Sequence, residues 1–348
     1  MRLLVVVPCR DEALVVARRV ANLARCKWPA SERPHEIVLV DDASRDGTRA
    51  AAEVAIAAEF GARADVAARV VLNDVRPGKP GAVRAGMRGA GAFDLVVLTD
   101  ADVVIEECAL VEIADAFTRE PRLALACAAQ RFVAGLAGDG TCRAGDGGAL
   151  SDAGGTFDRW TAAVRRLESR AGVLFSVHGQ LCAWRADLEL APTFGVAADD
   201  VDLRFQVKAR TSEPRRVEIV PRAAFFEVKT PAGPERDAQA ARRARAWFQA
   251  VRRGPIPARG ALESVQALAY GVVPRSAPIA SFAVAPIAAL VLAVLGFHVA
   301  ALTVLALGVA FVLTPLGRRW IELARTIETA ARTERREPAT DRWETPRL

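Results

Sequence analysis

Four short apolar runs alternate with stretches of helical spacing at the start of this chain, and that alternation restricts its fold more than any other feature. The runs are Leu3–Val7, which Pro8 ends, Glu36–Val40, Arg69–Leu72 and Leu95–Thr99. They are mostly continuous rather than alternating in polarity, as befits strands buried on both faces. After the first, Leu14, Val15, Ala17, Arg18, Val20, Ala21 and Leu23 are spaced for one helix face. After the second, Asp41-Asp42-Ala43-Ser44-Arg45-Asp46-Gly47-Thr48 is a turn by composition, with Thr48 placed to cap an Ala-rich helix. The third leads through Gly78-Lys79-Pro80-Gly81-Ala82 into another helix. Strand alternating with helix in this way predicts an α/β fold with a parallel sheet and right-handed crossovers.

The fourth run ends in Asp100-Ala101-Asp102. A strand that ends in two carboxylates spaced i, i+2 delivers both to the carboxyl edge of the sheet, where ligands of open α/β sheets bind. Two acids there can hold a divalent cation, which can neutralise a phosphate leaving group. Asp-x-Asp is common by chance, so its weight comes from its neighbours.

Val-Val-Pro-Cys-Arg-Asp-Glu at 6–12, Val-Asp-Asp-Ala-Ser-Arg-Asp-Gly-Thr at 40–48, Gly-Lys-Pro-Gly-Ala at 78–82 and Thr-Asp-Ala-Asp at 99–102 follow one another in an order that resembles the family 2 glycosyltransferases of GT-A fold. Asp199-Asp200-Val201-Asp202-Leu203 is similar to the acidic element of that family. The resemblance covers roughly residues 3 to 250. It implies a GT-A-type, mostly parallel sheet flanked by helices. It also implies an inverting, metal-dependent transfer of a hexosyl or N-acetylhexosaminyl group from a nucleotide-diphosphate sugar to an acceptor hydroxyl.

The resemblance also implies roles for single residues. Asp102 is the expected direct ligand of Mg²⁺ or Mn²⁺, with Asp100 nearer the ribose or the metal; hard oxygen ligands suit both ions. The donor side takes Pro8, Arg10 and Glu12 from the first motif and Asp42, on the nucleotide base or ribose, from the second. Asp41 competes with Asp42 for that role. Lys79, in a glycine-flanked loop, can bring a point charge to the diphosphate or base, or can simply be a solvated lysine. Asp200 is the expected general base, and crowding with Asp199 and Asp202 would raise at least one pKa. Asp199 or Asp200 can equally cap a helix over Val201–Lys208. His178, before Leu181-Cys182-Ala183-Trp184-Arg185, is placed to touch the donor sugar or diphosphate, or to be structural. Many membrane-bound relatives carry a Gln/Arg-x-x-Arg-Trp element on the diphosphate. Here Arg242-Arg243-Ala244-Arg245-Ala246-Trp247 departs from it by one residue, so Arg243 and Arg245 are donor-binding candidates on a helix that reads equally as interfacial.

The C-terminal part is different in kind. From Ser276 to Gly317 there is no Asp, Glu, Lys or Arg. A single helix of that length would span roughly 60 Å, about twice a bilayer core, so two spans joined near Gly296-Phe297-His298 fit better. Pro278, Pro286 and Pro315 are compatible with membrane helices. The alternative is a buried helical hairpin. Arg252, Arg253, Arg259 and Arg275 precede the block and Arg318 and Arg319 follow it, which places both ends on the cytoplasmic side of the membrane. The expected organisation is therefore a catalytic domain over 1–265, a transmembrane helical hairpin over 266–317, and a polar amphipathic tail over 318–348. Within the first, 134–158 reads as a Gly-rich surface loop. The first apolar run is too short for a signal peptide.

Six cysteines without a CxxC pair or metal-finger spacing read as free thiols in a reduced compartment. The net charge of +6, with arginine concentrated in 236–253 and the tail, favours anionic headgroups or a phosphorylated acceptor. No nucleic-acid module is present. The expected partners are a nucleotide-sugar donor, a lipid-linked or glycan acceptor and membrane lipids. A sugar-1-phosphate nucleotidyltransferase would want a glycine-rich, Arg-bearing loop after the first strand, which Pro8-Cys9-Arg10-Asp11-Glu12 is not. A catalytically silent membrane scaffold binding nucleotide or glycan is the other alternative. Gly86-x-x-Gly89-x-Gly91 precedes a strand rather than following one and is no dinucleotide fingerprint.

Overall fold

The four apolar runs become the strands β1 (Leu3–Cys9), β2 (His35–Asp41), β3 (Val66–Leu72) and β4 (Leu95–Thr99), separated by the helices α1 (Val16–Arg25), α2 (Thr48–Phe60) and α3 (Lys79–Gly86). They are seen in a computed structural model that describes residues 1–253, 256–271 and 273–337. The chain divides into two compact units, Met1–Pro231 and the described residues from Ala232 onward.

In the first unit β1 to β4 pair in parallel in the order β3-β2-β1-β4. Consecutive strand residues point to opposite faces. Leu3, Val5 and Val7 meet Ile37, Leu39, Leu95 and Val97 under α1 and α2, with Val16, Val20 and Leu23 closing that layer. Leu4 and Val6 meet Val38, Val40, Val96 and Leu98 on the other face, under Ala82 and Val83 of α3. Each fully buried aliphatic side chain contributes about 1.5–3 kcal/mol, which explains why the runs are apolar throughout. Gly86 ends α3 against the sheet: a Cβ there would lie 2.5 Å from Val6 Cγ1 and 2.9 Å from Val40 Cγ2.

The sheet then loses its uniform direction. The remaining elements of this unit are β5 (Val104–Ile105), α4 (Ala109–Arg119), β6 (Leu123–Val133), α5 (Thr156–Arg170), β7 (Leu181–Arg185), α6 (Asp199–Arg210) and β8 (Arg216–Val228). β7 lies antiparallel to β4 and β6, β8 pairs with β6 in parallel, and β5 lies antiparallel to β8. The order β4-β7-β6-β8-β5 completes one mixed sheet. The Gly-rich loop between β6 and α5 is anchored where Gly140 meets α1, its carbonyl accepting from Asn22 Nδ2 at 3.0 Å.

Two local expectations change. Pro8 does not end its strand: β1 continues to Cys9 with Pro8 opposite Val40. The ladder with β4 stops at Val6, so the missing N–H of Pro8 costs the sheet nothing on that side. Thr48 does not cap α2; Gly47 holds the cap position at φ 89°, and the Thr48 hydroxyl accepts from the Glu12 amide at 2.7 Å.

The second unit is helical: α7 (Pro234–Arg252), α8 (Ala261–Gly271), α9 (Val273–Val294), α10 (His298–Leu313) and α11 (Pro315–Arg336). Phe248 packs with Ala244 of α7 against Ile327, Ala330 and Ala331 of α11. Trp247 stands 5.4 Å from Tyr270, ring centre to ring centre. Phe248 is thereby buried, while Ala244, Trp247 and Val251 stay half-exposed. α9 and α10 turn at Gly296, φ 83°, where the sequence placed the bend, and Gly308 brings the two helices together at Ala285. The expectation of two membrane spans is not borne out: among the described residues no helix is long and apolar enough to cross a membrane. The 16 residues of α10 reach only about 24 Å against a hydrocarbon core of about 30 Å.

Candidate active site

The carboxyl ends of β1, β2 and β4 meet where the strand order reverses between β1 and β4, the position at which open α/β sheets bind ligands. The loops leaving β1 and β2 are tied to each other. The Asp11 amide donates to Ser44 Oγ at 3.0 Å, the Arg45 amide to Asp11 Oδ1 at 2.8 Å, and the Ala13 amide to Asp46 Oδ2 at 2.9 Å. Asp11 and Ala43 adopt left-handed backbone at φ 54° and 57°, a strained conformation of the kind that collects at functional loops.

Asp42 is buried beneath this double loop. Its carboxylate accepts from Asn73 Nδ2 at 2.6 Å and from the Gly78 amide at 2.7 Å, and Arg10 Nη1 donates to its carbonyl at 3.1 Å. Asp41 accepts from the Ser44 amide at 3.2 Å. The Gly78 bond sets the start of α3, and Gly81 is required there, since a Cβ would lie 1.7 Å from the Arg76 carbonyl. Lys79 follows as the first residue of α3.

Lys79 is not a solvated lysine. Its Nζ lies 2.9 Å from Asp100 Oδ1 and 3.0 Å from Asp199 Oδ2. The second contact is an ion pair without hydrogen-bond alignment, for Asp199 Oδ2 is buried with no hydrogen-bond donor. Burial pulls the Lys79 ammonium down, but Asp100 and then Asp199 outweigh it and hold it well above the ordinary lysine range. Gly179 borders the same cluster: a Cβ there would lie in ordinary contact, 3.7 Å from Lys79 Nζ.

From Asp199 the network continues along the first turn of α6. The Asp200 amide donates to Asp199 Oδ1 at 3.0 Å, and neither carboxylate caps the helix, whose cap residue is Ala198. Asp200 Oδ2 accepts from Ser176 Oγ at 2.5 Å. Arg165, on α5, donates to that hydroxyl at 3.2 Å and reaches the His178 ring at 2.8 Å. His178 also stands edge-on to Phe225, 5.6 Å between ring centres. Burial, with the Asp199 charge adding to it, raises Asp200 above the ordinary carboxylate range; Ser176, then Arg165, pulls it partly back. Asp202 is turned away, accepting from the Thr193 amide and Gln206 Nε2, each at 2.8 Å.

The Asp-x-Asp turn is braced from α1. Arg19, fully buried, donates to Thr99 Oγ1 at 2.7 Å and to Asn22 Oδ1 at 2.8 Å. Burial lowers its pKa to about 10, which leaves it charged at neutral pH. Asn22 accepts from the Ile105 amide at 2.9 Å and donates back to the Ile105 carbonyl at 2.9 Å. Arg18 Nη2 reaches the Asp102 carbonyl at 3.2 Å.

Arg10, Asp42, Lys79, Asp100, Asp200 and His178 therefore belong to one run of contacts around the carboxyl ends of β1, β2 and β4; Pro8 stands in β1 opposite Val40, and Asp102 lies in the braced turn. Glu12 is buried beneath the first loop. Arg243 and Arg245 stand on α7 of the second unit, where Arg245 Nη2 donates to the Glu337 carbonyl at 2.8 Å. Arg19, Asn22, Asn73, Arg165 and Ser176 were not singled out from the sequence. Only Asn73, a turn-former just beyond β3, carried a local signal. All six cysteines are unpaired, and burial pushes the Cys26 thiol up to about 12 and Cys127 up to about 11.

Residues 2–250 match the model of the family described as Glycosyltransferase like family 2. The chain belongs to that family. Among solved structures, this glycosyltransferase is similar to the mannosyltransferase PcManGT from Pyrobaculum calidifontis in complex with GDP-Man and Mn²⁺. The TM-score is 0.67 at 23% identity, over 95% of this chain and 86% of that one. S. aureus TarS gives 0.49 at 18% identity, over 78% of this chain and 43% of that one. Glucosyl-3-phosphoglycerate synthase from Mycobacterium tuberculosis, in complex with Mn²⁺, UDP-Glc and phosphoglyceric acid, gives 0.45 at 16% identity, over 72% and 79%. No curated protein matches the chain. The fold is GT-A-like, with a mostly parallel sheet flanked by helices.

The donor set suits a divalent cation. Asp100 and Asp102 offer hard carboxylate oxygens, and the Lys79 ammonium already sits as a cation against Asp100. Among the described residues no three His, Cys, Asp or Glu groups are gathered to hold a metal by themselves. Mg²⁺ and Mn²⁺ can be held by one or two protein carboxylates, sharing the ion with substrate phosphates.

Proposed function

We propose that this family 2 glycosyltransferase transfers a sugar, with inversion, from a nucleotide-diphosphate sugar to an acceptor hydroxyl, with Asp200 as general base. The observation that carries the reading is the continuity between Lys79, bridging Asp100 and Asp199, and Asp200, held by Ser176. It supports a reading in which the group that takes the proton stands two residue contacts from the group that binds diphosphate. Asp102 and Asp100 would hold Mg²⁺ or Mn²⁺, which when bound neutralises charge on the departing diphosphate. Asp42 and Arg10 serve the nucleoside end. Lys79 gives the diphosphate a fixed charge and hydrogen-bond donor. Asp200, held above its ordinary range by burial and the Asp199 charge, accepts the acceptor proton as the hydroxyl attacks. Arg243 and Arg245 are proposed as further diphosphate contacts.

We also propose that the acceptor is lipid-linked or an envelope glycan and that the enzyme works at the cytoplasmic membrane, with the catalytic unit on the cytoplasmic side. The hairpin of α9 and α10 supports this reading. It exposes Leu290, Val294, Leu302, Leu307 and Leu313 and carries no charged residue from Ser276 to Gly317. Such a surface is expected to sit in an apolar medium. Nucleotide release by membrane-extracted protein from a panel of nucleotide sugars, with and without Mn²⁺ and Mg²⁺, tests the reading. Metal-dependent release from one donor is expected; folded protein that releases nucleotide from none would favour a silent scaffold. Efficient transfer to a soluble sugar, with none to lipid, would remove the lipid acceptor.

A further inference from the structure

α5 is amphipathic the wrong way round for a helix packed on a soluble core. The side turned to the sheet is polar. Asp158 accepts from the Gly155 amide at 2.7 Å and pairs with Lys229; Arg165 reaches Ser176 and His178; Ser169 Oγ accepts from the Ile219 amide at 2.8 Å. Glu168 Oε2 accepts from the Phe175 amide at 3.3 Å. The side turned away is apolar, with Phe157 73% exposed, Trp160 64% and Leu167 65%. These residues, with Val164 between the last two, follow the i, i+3, i+7, i+10 spacing of a single helix face. Arg159, Arg166 and Arg170 are exposed along one edge of it. Both acids of the helix are engaged on the inner side, so the outer face carries positive charge only.

We propose that this outer face of α5 docks on the surface of a bilayer containing anionic phospholipid. Large apolar side chains including tryptophan, edged by arginine alone, form the pattern of a helix lying in the headgroup region. Each arginine near an anionic surface adds attraction that salt screens. A second copy packed antiparallel is the poorer occupant, because it would bring the arginine edge towards its own image. The inner side of the same helix carries Arg165, which touches the hydroxyl that holds Asp200. A membrane-borne acceptor would therefore be met next to the group that deprotonates it. This last consequence rests on the membrane acceptor proposed above; the docking itself does not.

The test places an environment-sensitive fluorophore on Trp160→Cys in the full chain, in a Cys108→Ser background that removes the exposed native thiol. The protein is titrated with phosphatidylcholine vesicles with and without phosphatidylglycerol, and donor turnover is read on the same samples. The expected result is a blue-shifted label, quenched by lipid-borne quenchers, only when phosphatidylglycerol is present and reversed by salt. Changing Arg159, Arg166 and Arg170 together to Gln should weaken this response by up to about a hundredfold, at about fivefold each. A label that stays in water while the protein is vesicle-bound through its other unit would overturn the proposal and leave the transferase reading untouched. A blue shift that grows with protein concentration without lipid would also overturn it, in favour of self-association. A lipid-buried label on protein that turns over no donor would count against the catalytic reading alone.

Discussion

Replacing Asn22 with Ala should cost the first unit about 4 kcal/mol, and the figure can be built from its contacts. The carboxamide makes four hydrogen bonds: it receives from the Ile105 amide and Arg19 and donates to the Ile105 and Gly140 carbonyls, all at 2.8–3.0 Å. The Ile105 carbonyl keeps Cys142 Sγ at 3.4 Å, and Arg19 keeps Thr99. The Ile105 amide and the Gly140 carbonyl lose these partners in a site where Asn22 itself is 1% exposed. Two orphaned buried groups at about 1–3 kcal/mol each give about 2–6 kcal/mol, with about 4 as the central value. Two compact units need not unfold in one step, so amide exchange of β4 is a better assay than a global melt. A loss of about 4 kcal/mol should speed that exchange about a thousandfold. Asn22→Asp keeps the acceptor for Ile105 and Arg19 and should lose less than half as much. Mn²⁺ affinity, read by electron paramagnetic resonance, should fall in parallel, because the braced turn carries Asp102. A loss below about 1 kcal/mol for the Ala variant would show that the freed groups find other partners, and the bracing argument would fail.

Asp102→Ala should abolish metal-dependent turnover, and near-normal rates would remove the metal assignment. Asp200→Asn should bind donor normally and fail to transfer. It should also be the more stable protein at neutral pH, as thermal unfolding would read. Burial raises Asp200 above its unfolded value, so the folded state binds the extra proton and its stability falls as pH rises through the native titration. An uncharged side chain escapes that loss, and unchanged stability would contradict the burial argument. Ser176→Ala removes a bond that favours the ionised form, so the acid limb of kcat/KM should move to higher pH; an unmoved limb would sever Ser176 from the base. Lys79→Met should weaken nucleotide diphosphate binding by about ten- to hundredfold, the worth of one charge-assisted hydrogen bond, in a calorimetric titration.

The parallel half of the fold was legible because β1, β2 and β4 are buried on both faces and must be apolar throughout. The other half was less so. β5 has two residues, and β6 and β8 take their directions from partners distant in sequence. In the site, carboxylates and glycines at strand ends stood out because turns and sheet edges leave a compositional mark. Arg19 and Asn22 did not, since a polar residue on α1 reads as solvated until the turn of β4 is folded over it. Lys79 was open between two readings, and its two carboxylate neighbours exclude the solvated one. For α5 the apolar pattern alone would turn Phe157 and Trp160 to the core. The hydrogen bonds of Asp158, Arg165 and Ser169 turn the helix over.

Gly86 gives the site a mechanical dependence on a residue that touches no ligand-binding group. α3 lies so close to the sheet there that a single added carbon would overlap Val6 by about 1 Å, given ordinary carbon contacts of 3.5–4.0 Å. The helix that would have to rise is the one whose first residue is Lys79. Its ammonium meets two carboxylates within 3.0 Å, a span that a lift of that size would open. The spacing between one strand pair and one helix thus works as the adjustment screw of the charge cluster. Drift in the sheet core beneath α3 would be felt first as a change in donor binding, well before the fold itself gave way.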